Sequence, residues 1–338
     1  MSIMVNLVQK IITSQGWVLA DGATGTNLFN MGLESGDAPE FWNIDYPEKI
    51  KKLYRESILA GCDLFLTNSF GGNSSRLALH NASDRARELS KLSAQLGMEV
   101  KDEFNRDIVM AGSVGPTGEL MDPLGTLTFE KAVDIFADQM LGLKEGGVDL
   151  VWIETMSAEE EYRAAAVAAK IVNIPWIGTM SFDTAGRTMM GITSASFVKM
   201  VEALPDLPIA YGANCGVGAS DLLRTVLGFK KANAKLPIVA KGNAGIPKFV
   251  DGKIHYDGTP DLMAKYAEMA FNCGAKIIGG CCGTTPEHIK AMRCALEKCV
   301  QPVTPDLSEI TANIGPFSSE SDGTDGVVQR KRIRRGGR

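Results

Sequence analysis

The sequence lacks long hydrophobic runs, and this excludes the first class of protein. Its 338 residues contain no apolar run of about 18 or more, the length that a transmembrane helix needs. Polar residues at Asn6, Gln9 and Lys10 interrupt the N-terminal segment, where a secretory signal would have a continuous apolar core. We therefore expect a cytoplasmic protein with no membrane partner.

Histidines, aromatic residues and net charge are also scarce. Aromatic residues make up 7% of the chain, there are 3 histidines, and the formal net charge is −5. A mildly acidic chain does not present the basic surface that nucleic acids require, so no nucleic-acid partner is expected for its main body. The hydrophobic fraction of 45% is that of an ordinary globular protein.

The cysteine count is odd, which argues against a disulfide scaffold. There are 7 cysteines in a long chain without a secretory segment, so metal binding or catalysis is the better use for any special cysteine. Four of them are expected to be small buried hydrophobic residues, namely Cys62, Cys273, Cys294 and Cys299. Cys215, Cys281 and Cys282 remain for chemistry.

Eight short apolar runs, each ending in a glycine, polar or turn cluster, recur along the chain. They cover residues 17–22, 62–70, 107–116, 148–156, 175–183, 208–216, 237–245 and 275–283. Near-continuous hydrophobicity is typical of parallel strands buried on both faces, and amphipathic segments of helical length separate the runs. This alternation predicts an α/β fold, a single (β/α)8 barrel of the TIM type. A doubly wound open sheet is the alternative, but no GxGxxG follows the first run.

The two ends of the chain read differently from the barrel. Apolar residues at helical spacing, Ile3, Leu7 and Ile11, predict an N-terminal helix, which could plug the barrel or pair with a neighbour. We expect the barrel to occupy residues 1–300. Residues 301–338 are polar and end in six basic residues among the last nine, which predicts a flexible, disordered tail. A basic end of this kind could instead touch RNA or anionic lipid.

The strand ends should carry the chemistry, because active sites of such barrels lie at the carboxyl ends of the strands. Cys215 ends the sixth run, and the adjacent Cys281 and Cys282 end the eighth. Neighbouring side chains in a strand point to opposite faces, so the last two sulfurs converge only where the strand has ended in a turn. Three thiolates with one open position are typical of a catalytic zinc site. The alternative is that GGCCG is only a tight turn.

A zinc ion held by three thiolates is a poor Lewis acid but suits the activation of an incoming thiol, which predicts thiol alkylation. Another interpretation of GGCCG is an anion-binding loop in a barrel lyase, with Lys241 as the Schiff-base lysine. A further alternative is a barrel that binds zinc or a thiol without turnover and whose tail docks to RNA.

The ordered motifs resemble the homocysteine-binding domain family of zinc-dependent homocysteine S-methyltransferases. They are DGATGTNL, TNSF, GSVGPTGE, IET at 153–155, GANCGVG and GGCCGTTPEHI, spread over residues 15–297. Within the family, LADGATGTNLF, SFDTAGRTMMG and GANCGVGASDLL are most similar to bacterial betaine–homocysteine S-methyltransferases.

The resemblance implies roles for particular residues. Cys215, Cys281 and Cys282 match the zinc ligands, and Glu154 matches the carboxylate that holds the homocysteine amino group. The loop of Asp21, Gly22 and Ala23 matches the one that receives the amino-acid end of the substrate, through the acidic side chain and the amides of Gly22 and Ala23. Alternatively, Glu154 could serve the following helix N-terminus, and Asp21 could order its own turn.

The resemblance also implies methyl transfer from glycine betaine to homocysteine, giving methionine and dimethylglycine. A quaternary ammonium donor favours aromatic faces, for which Trp42 is the best candidate, with Phe41 and Phe70 behind it. Trp42 could instead anchor its own loop. The animal betaine enzymes have tyrosines where this chain has Gly71 and Thr155, so a methyl-corrinoid, S-methylmethionine or dimethylsulfoniopropionate stays open as the donor. A corrinoid would come on a partner, since no cobalamin domain is expected after the barrel. Homo-oligomerisation is possible.

Overall fold

A barrel of parallel strands forms the body of the protein. The computed structural model describes residues 5–246, 248–250 and 253–323. Over these ranges one sheet contains eight strands, each lying in one of the eight apolar runs. They are β1 (Val18–Leu19), β2 (Leu64–Leu66), β3 (Val109–Val114), β4 (Leu150–Met156), β5 (Trp176–Met180), β6 (Ala210–Cys215), β7 (Ile238–Gly242) and β8 (Ala275–Gly280).

The strand order distinguishes the barrel from an open doubly wound sheet. Each strand from β2 to β7 pairs in parallel with the next in sequence, β7 pairs with β8, and β8 pairs with β1. A parallel bridge between Ala20 and Leu64 joins β1 to β2, and the Asp21 amide donates to the Leu64 carbonyl at 2.9 Å. The prediction of a TIM-type barrel is therefore confirmed.

Helices follow the strands and cover the outside of the sheet. Thr259, Pro260 and Gly274 show how sequence sets their limits, because the Thr259 hydroxyl caps the helix that Pro260 begins, and Gly274 ends it with a φ of 103°. The α-helices are α1 (Val5–Gln15), α2 (Gly25–Asn30), α3 (Trp42–Asp45), α4 (Pro47–Leu59), α5 (Ser74–Ala78), α6 (Ala86–Lys101), α7 (Phe129–Gly146), α8 (Glu159–Val172), α9 (Ser194–Glu202), α10 (Ala219–Lys231), α11 (Pro260–Cys273), α12 (Pro286–Leu296) and α13 (Leu307–Asn313).

The N-terminal helix plugs the barrel. Val8 and Ile11 on α1 are buried in the same apolar cluster as inward-facing strand residues such as Leu64 and Trp152. Because this cluster fills the interior from the amino end, the opposite end, where the strands finish, is left for a site.

A short antiparallel hairpin, Lys248–Val250 with Lys253–His255, lies between β7 and α11. Among the described residues, no helix has both the length and the apolar character required to cross a bilayer.

The segment after residue 300 contains ordered structure. Helix α13 buries Ile310 completely, and residues 314–323, which we call the C-terminal strap, continue along α10. The sequence predicts a flexible tail over 301–338. Its final part, residues 324–338, lies outside the described residues, and flexibility remains a prediction there.

Candidate metal and substrate site

Three cysteine thiols meet at the carboxyl end of the barrel. The sulfur atoms of Cys215, Cys281 and Cys282 all lie within 4.8 Å of one another. The sheet register explains this convergence, because Gly242 on β7 pairs with Cys215 on one side and with Gly280 on the other. The cysteines of two non-adjacent strands therefore meet across β7.

A turn directly after β8 aims two neighbouring sulfurs at the same place. The strand ends at Gly280, and Gly283 has a φ of 80°, a backbone conformation that a side chain disfavours. The Thr284 hydroxyl fastens the turn by donating to the Cys281 carbonyl at 2.6 Å. Cys215 itself has a φ of 60°, so the chain also turns at the end of β6.

The chemistry of these donors suits a divalent metal. The three cysteines are free thiols. Hydrogen bonds with Cys215 and Cys281 lower the pKa of the Cys282 thiol. Hydrogen bonds with Cys281 and Cys282, together with burial, raise the pKa of the Cys215 thiol. Three thiols this close together do not all lose their protons unless a cation compensates the three negative charges of the thiolates. Three thiolates are a donor set that zinc prefers.

Asn243 and Tyr256 support the cysteine cluster from outside. The side-chain oxygen of Asn243 accepts from the backbone amide of Cys282 at 3.0 Å. The side-chain nitrogen of Asn243 donates to the Gly216 carbonyl at 2.9 Å and lies 3.7 Å from the Cys215 sulfur. The Tyr256 hydroxyl hydrogen-bonds with the Cys282 thiol. Contacts of this type orient metal ligands. The sequence gives no signal for the role of either residue, since Asn243 lies among the last residues of the seventh apolar run and Tyr256 follows the hairpin.

Glu154 lies inside the barrel end, linked to the cysteines by one side chain. Its carboxylate accepts from the Ser113 hydroxyl at 2.5 Å and from the Asn214 amide group at 3.4 Å. The same Asn214 amide group lies 3.9 Å from the Cys281 sulfur. Burial raises the pKa of Glu154 to about 7. Among the residues that the structure describes, no cationic side chain forms an ion pair with this carboxylate. A substrate ammonium group would supply that missing charge.

Asp21 is engaged by the protein itself. One oxygen accepts from the Leu66 amide at 2.8 Å and helps to close the barrel, and the other lies 3.2 Å from the Lys241 ammonium group. Lys241 also donates to the Gly22 carbonyl at 3.0 Å. The amide of Ala23 donates to the Thr284 hydroxyl at 3.0 Å. The loop therefore borders the site, but the Ala23 amide already has a partner within the protein.

Trp42 and Phe70, two of the aromatic residues expected around the donor, lie in different surroundings. The Trp42 ring is buried, with its centroid 4.9 Å from that of Tyr46 and the Lys49 ammonium group 4.4 Å from it. The Lys49 ammonium group therefore already makes a cation–π contact with the Trp42 ring, as expected if Trp42 anchors its own loop. Phe70 is partly exposed at the carboxyl end of β2, and its carbonyl accepts from the Gly115 amide at 2.9 Å.

The remaining cysteines lie away from this cluster. Cys62 and Cys273 are fully buried, as the sequence predicts, whereas Cys299 is only partly buried. The prediction of a buried residue is wrong for Cys294, which is exposed because it lies on the outer side of α12.

The similarity of this chain to known proteins extends over most of its length. The family model for homocysteine S-methyltransferase matches residues 18–296. The methionine synthases of Mycobacterium leprae and Mycobacterium tuberculosis are 29% and 28% identical to this chain over 85% and 92% of its length. The chain spans only 25% and 27% of those two relatives.

Solved structures show the same fold. The metallated form of the homocysteine methyltransferase MmuM from Escherichia coli superposes with a TM-score of 0.73 at 22% identity, covering 86% of this chain and 99% of that one. Its apo form gives a TM-score of 0.67 at 20% identity, over 86% and 100% of the two chains.

Proposed function

The chain belongs to the homocysteine S-methyltransferase family, and from that premise we propose that it transfers a methyl group from glycine betaine to the thiol of L-homocysteine. The products are methionine and dimethylglycine. The observation that carries this proposal is the cluster of three thiols within 4.8 Å of one another at the end of the barrel, beside the buried carboxylate of Glu154.

Zinc is the metal that we assign to Cys215, Cys281 and Cys282. When bound, it keeps a fourth thiol deprotonated and nucleophilic at neutral pH. The protein contributes a rigid donor set, because two of the cysteines are fixed by the turn after β8 and the third by the turn after β6. Asn243 and Tyr256 hold that arrangement by hydrogen bonds.

Glu154 and Asn214 provide the amino-acid pocket. The Glu154 carboxylate is held by Ser113 and Asn214 and has no ion-pair partner within the described part of the chain, so it would bind the ammonium group of homocysteine. Asn214 touches both Glu154 and Cys281, which sets the spacing between the ammonium and sulfur ends of one substrate molecule. Asp21 and the Gly22 turn form the neighbouring wall.

The donor would approach the sulfur from the open end of the barrel. Methyl transfer needs the thiolate and the methyl carbon in line at about 3–3.5 Å, and much of the rate comes from that alignment. The departing nitrogen leaves as a neutral amine, so no general base is needed. Resemblance to the bacterial betaine enzymes supports betaine as the donor, with Phe70 and Trp42 as its proposed aromatic contacts.

A different methyl donor for the same homocysteine pocket is the second candidate, and Gly71 favours it. This chain has Gly71 where the animal betaine enzymes have a tyrosine, and a side-chain carbon at Gly71 would lie only 3.1 Å from the Glu40 carboxylate, so the loop is packed for a residue without a side chain. A methyl-corrinoid, S-methylmethionine or dimethylsulfoniopropionate would then supply the methyl group.

The test is methionine formation from homocysteine by zinc-loaded protein with glycine betaine as the sole methyl source. We expect the native protein and Cys294→Ala to form methionine with equimolar dimethylglycine, because Cys294 is exposed and lies outside the site. Cys215→Ala should lose zinc and activity together. If one zinc binds per chain but betaine yields no methionine, betaine is rejected, and the other donors are tested with the same three proteins.

A further inference from the structure

Lys241 is a buried cation that the proposed chemistry does not use. It lies on β7, between the strands that carry the three cysteines, and only 3% of its surface is exposed. Its ammonium group lies 3.2 Å from Asp21 and donates to the Gly22 carbonyl at 3.0 Å. A lysine buried this deeply requires a specific electrostatic reason.

The ion pair with Asp21 disfavours the use of Lys241 as a Schiff-base nucleophile. Burial alone would lower the pKa of Lys241, but Asp21, Cys281 and Glu154 outweigh burial and raise it above its ordinary value. A nucleophilic lysine needs the opposite shift, since only the neutral amine attacks a carbonyl. Lys241 therefore remains a fixed positive charge.

Several negatively charged groups are buried around Lys241. Three thiolates around a divalent ion carry a net charge of −1, and Asp21 and Glu154 are both buried nearby. Each uncompensated charge in a low-dielectric interior is costly. Lys241 directly precedes Gly242, which pairs with Cys215 on β6 and with Gly280, the residue before Cys281, on β8, so its charge lies between the strand ends that carry the three cysteines. The same charge opposes the rise that burial causes in the pKa of Asp21 and of Glu154.

We propose that Lys241 is a positioning residue whose fixed positive charge offsets the negative charge of the three-cysteine centre and so strengthens zinc binding. It acts through space across the turn of Asp21 and Gly22, and it makes no bond to the metal. This inference rests on the proposed function, because it takes Cys215, Cys281 and Cys282 as zinc ligands.

The experiment compares the two halves of one ion pair, Lys241→Met and Asp21→Asn. Zinc affinity is measured by competition with a chromophoric chelator, without homocysteine, on variants whose fold is checked by circular dichroism. Supporting contacts around metal ligands are typically worth about 10–100-fold in affinity. We therefore expect Lys241→Met to bind zinc about 10–100-fold more weakly. Asp21→Asn should bind no more weakly than the native protein, because it removes a neighbouring negative charge.

Lys276→Met is the matched control. Lys276 lies near the start of β8, and its ammonium group also donates to a backbone carbonyl, that of Gly16 at 3.2 Å, but at the other end of the barrel. Its zinc affinity should equal that of the native protein.

Different effects of the two variants distinguish charge from structure. If Lys241 only held the ion pair together, Lys241→Met and Asp21→Asn would weaken zinc binding alike, and that result would overturn the inference. Unchanged affinity in Lys241→Met would overturn it too. If Lys241→Met does not fold, weaker binding in Asp21→Asn is still decisive against it. Native protein that binds no zinc would instead refute the proposed zinc centre itself.

Discussion

Asn214 shows how one buried amide can join two parts of a site. It is fully buried, and its carbonyl oxygen accepts from the Thr155 amide at 2.8 Å and from the Thr179 hydroxyl at 2.7 Å. Those two contacts fix the orientation of its amide group, which then reaches the Thr155 hydroxyl, Glu154 and Cys281. A side chain held in this way has little freedom to adjust to a substrate of different length.

Replacing Asn214 with alanine should therefore affect homocysteine binding and stability together. Leaving the buried donors of Thr155 and Thr179 unpaired costs about 1–3 kcal/mol each. We expect a rise in the homocysteine KM of at least about tenfold, with a smaller change in kcat, because Glu154 loses its alignment. Steady-state kinetics and urea unfolding measure the two effects.

Asn43→Ala provides the control for this prediction. Asn43 is equally buried and its amide group bonds the carbonyls of Asn68 and Leu89, at 3.0 and 3.3 Å. This variant should lose comparable stability but keep the native KM. If both variants raised KM equally, the effect of Asn214 would be one of stability alone.

Glu161 makes a pH dependence testable outside the metal site. Its carboxylate accepts from the amide and hydroxyl of Thr117, at 2.8 and 2.6 Å, yet burial raises its pKa above the ordinary value of 4.5. A carboxyl whose pKa is raised by folding favours the folded state while it is protonated. That contribution is complete below pH 4.5 and is lost as the pH rises through the folded-state pKa.

Glu161→Gln should consequently stabilise the protein at neutral pH. Glutamine keeps an oxygen that accepts from Thr117 but carries no charge to bury. The gain in the free energy of unfolding should be larger at pH 8 than at pH 5, as measured by urea unfolding at both values. An equal gain at both pH values would show that the charge of Glu161 is not the cause.

At the scale of elements, the barrel strands were predictable and the structure near the C-terminus was not. Near-continuous apolar runs identify buried parallel strands regardless of distant contacts, and the strand-end rule then identifies the cysteines. Asn214 and Lys241 owe their proposed roles to bonds with residues on other strands or just after them, which no local pattern shows. Helix α13 carried a local signal, a reciprocal cap between Asp306 and Glu309, but its polar composition concealed it.

The C-terminal strap, residues 314–323, joins two elements that border the site. Its Ser318 amide donates to Asp221 at 2.9 Å, and the Ser319 carbonyl accepts from Arg224 at 2.8 Å, both on the first turns of α10, which begins four residues after Cys215. Further on, the strap reaches Gly186 in the loop after β5, where an added side-chain carbon would lie 2.3 Å from Asp322.

Removing the strap should loosen that loop. Deletion of residues 314–338 removes these bonds, each worth about 0.5–1.5 kcal/mol or somewhat more where a charge is involved. We expect a loss of about 2–4 kcal/mol in stability and faster proteolytic cleavage within residues 184–191. Deletion of residues 324–338 alone keeps the strap and should leave both properties at native values. Identical behaviour of the two deletions would assign the effect to the final residues instead.

At the scale of the whole molecule, the proposed zinc centre and the barrel depend on each other unequally. The core runs through all eight strands and is closed at its amino end by α1, so the fold does not need a metal to bury its apolar surface. In small zinc domains, by contrast, the binding free energy is the folding free energy. The thiols here gather on strand ends that the sheet register has already placed side by side.

Chelating the metal should accordingly lower the melting temperature without unfolding the protein. Zinc at 1,000 times its dissociation constant stabilises the native state by about 4 kcal/mol, provided that it binds the unfolded chain weakly. We expect a melting temperature lower by several degrees after chelation, an unchanged far-ultraviolet circular dichroism spectrum, and recovery with zinc. Cys215→Ala should melt at the temperature of the chelated native protein whether or not zinc is added, because it retains the core but lacks one ligand. Loss of helical signal on chelation would show instead that the metal organises the barrel, whereas we infer that the paired strands bring the thiols together without it.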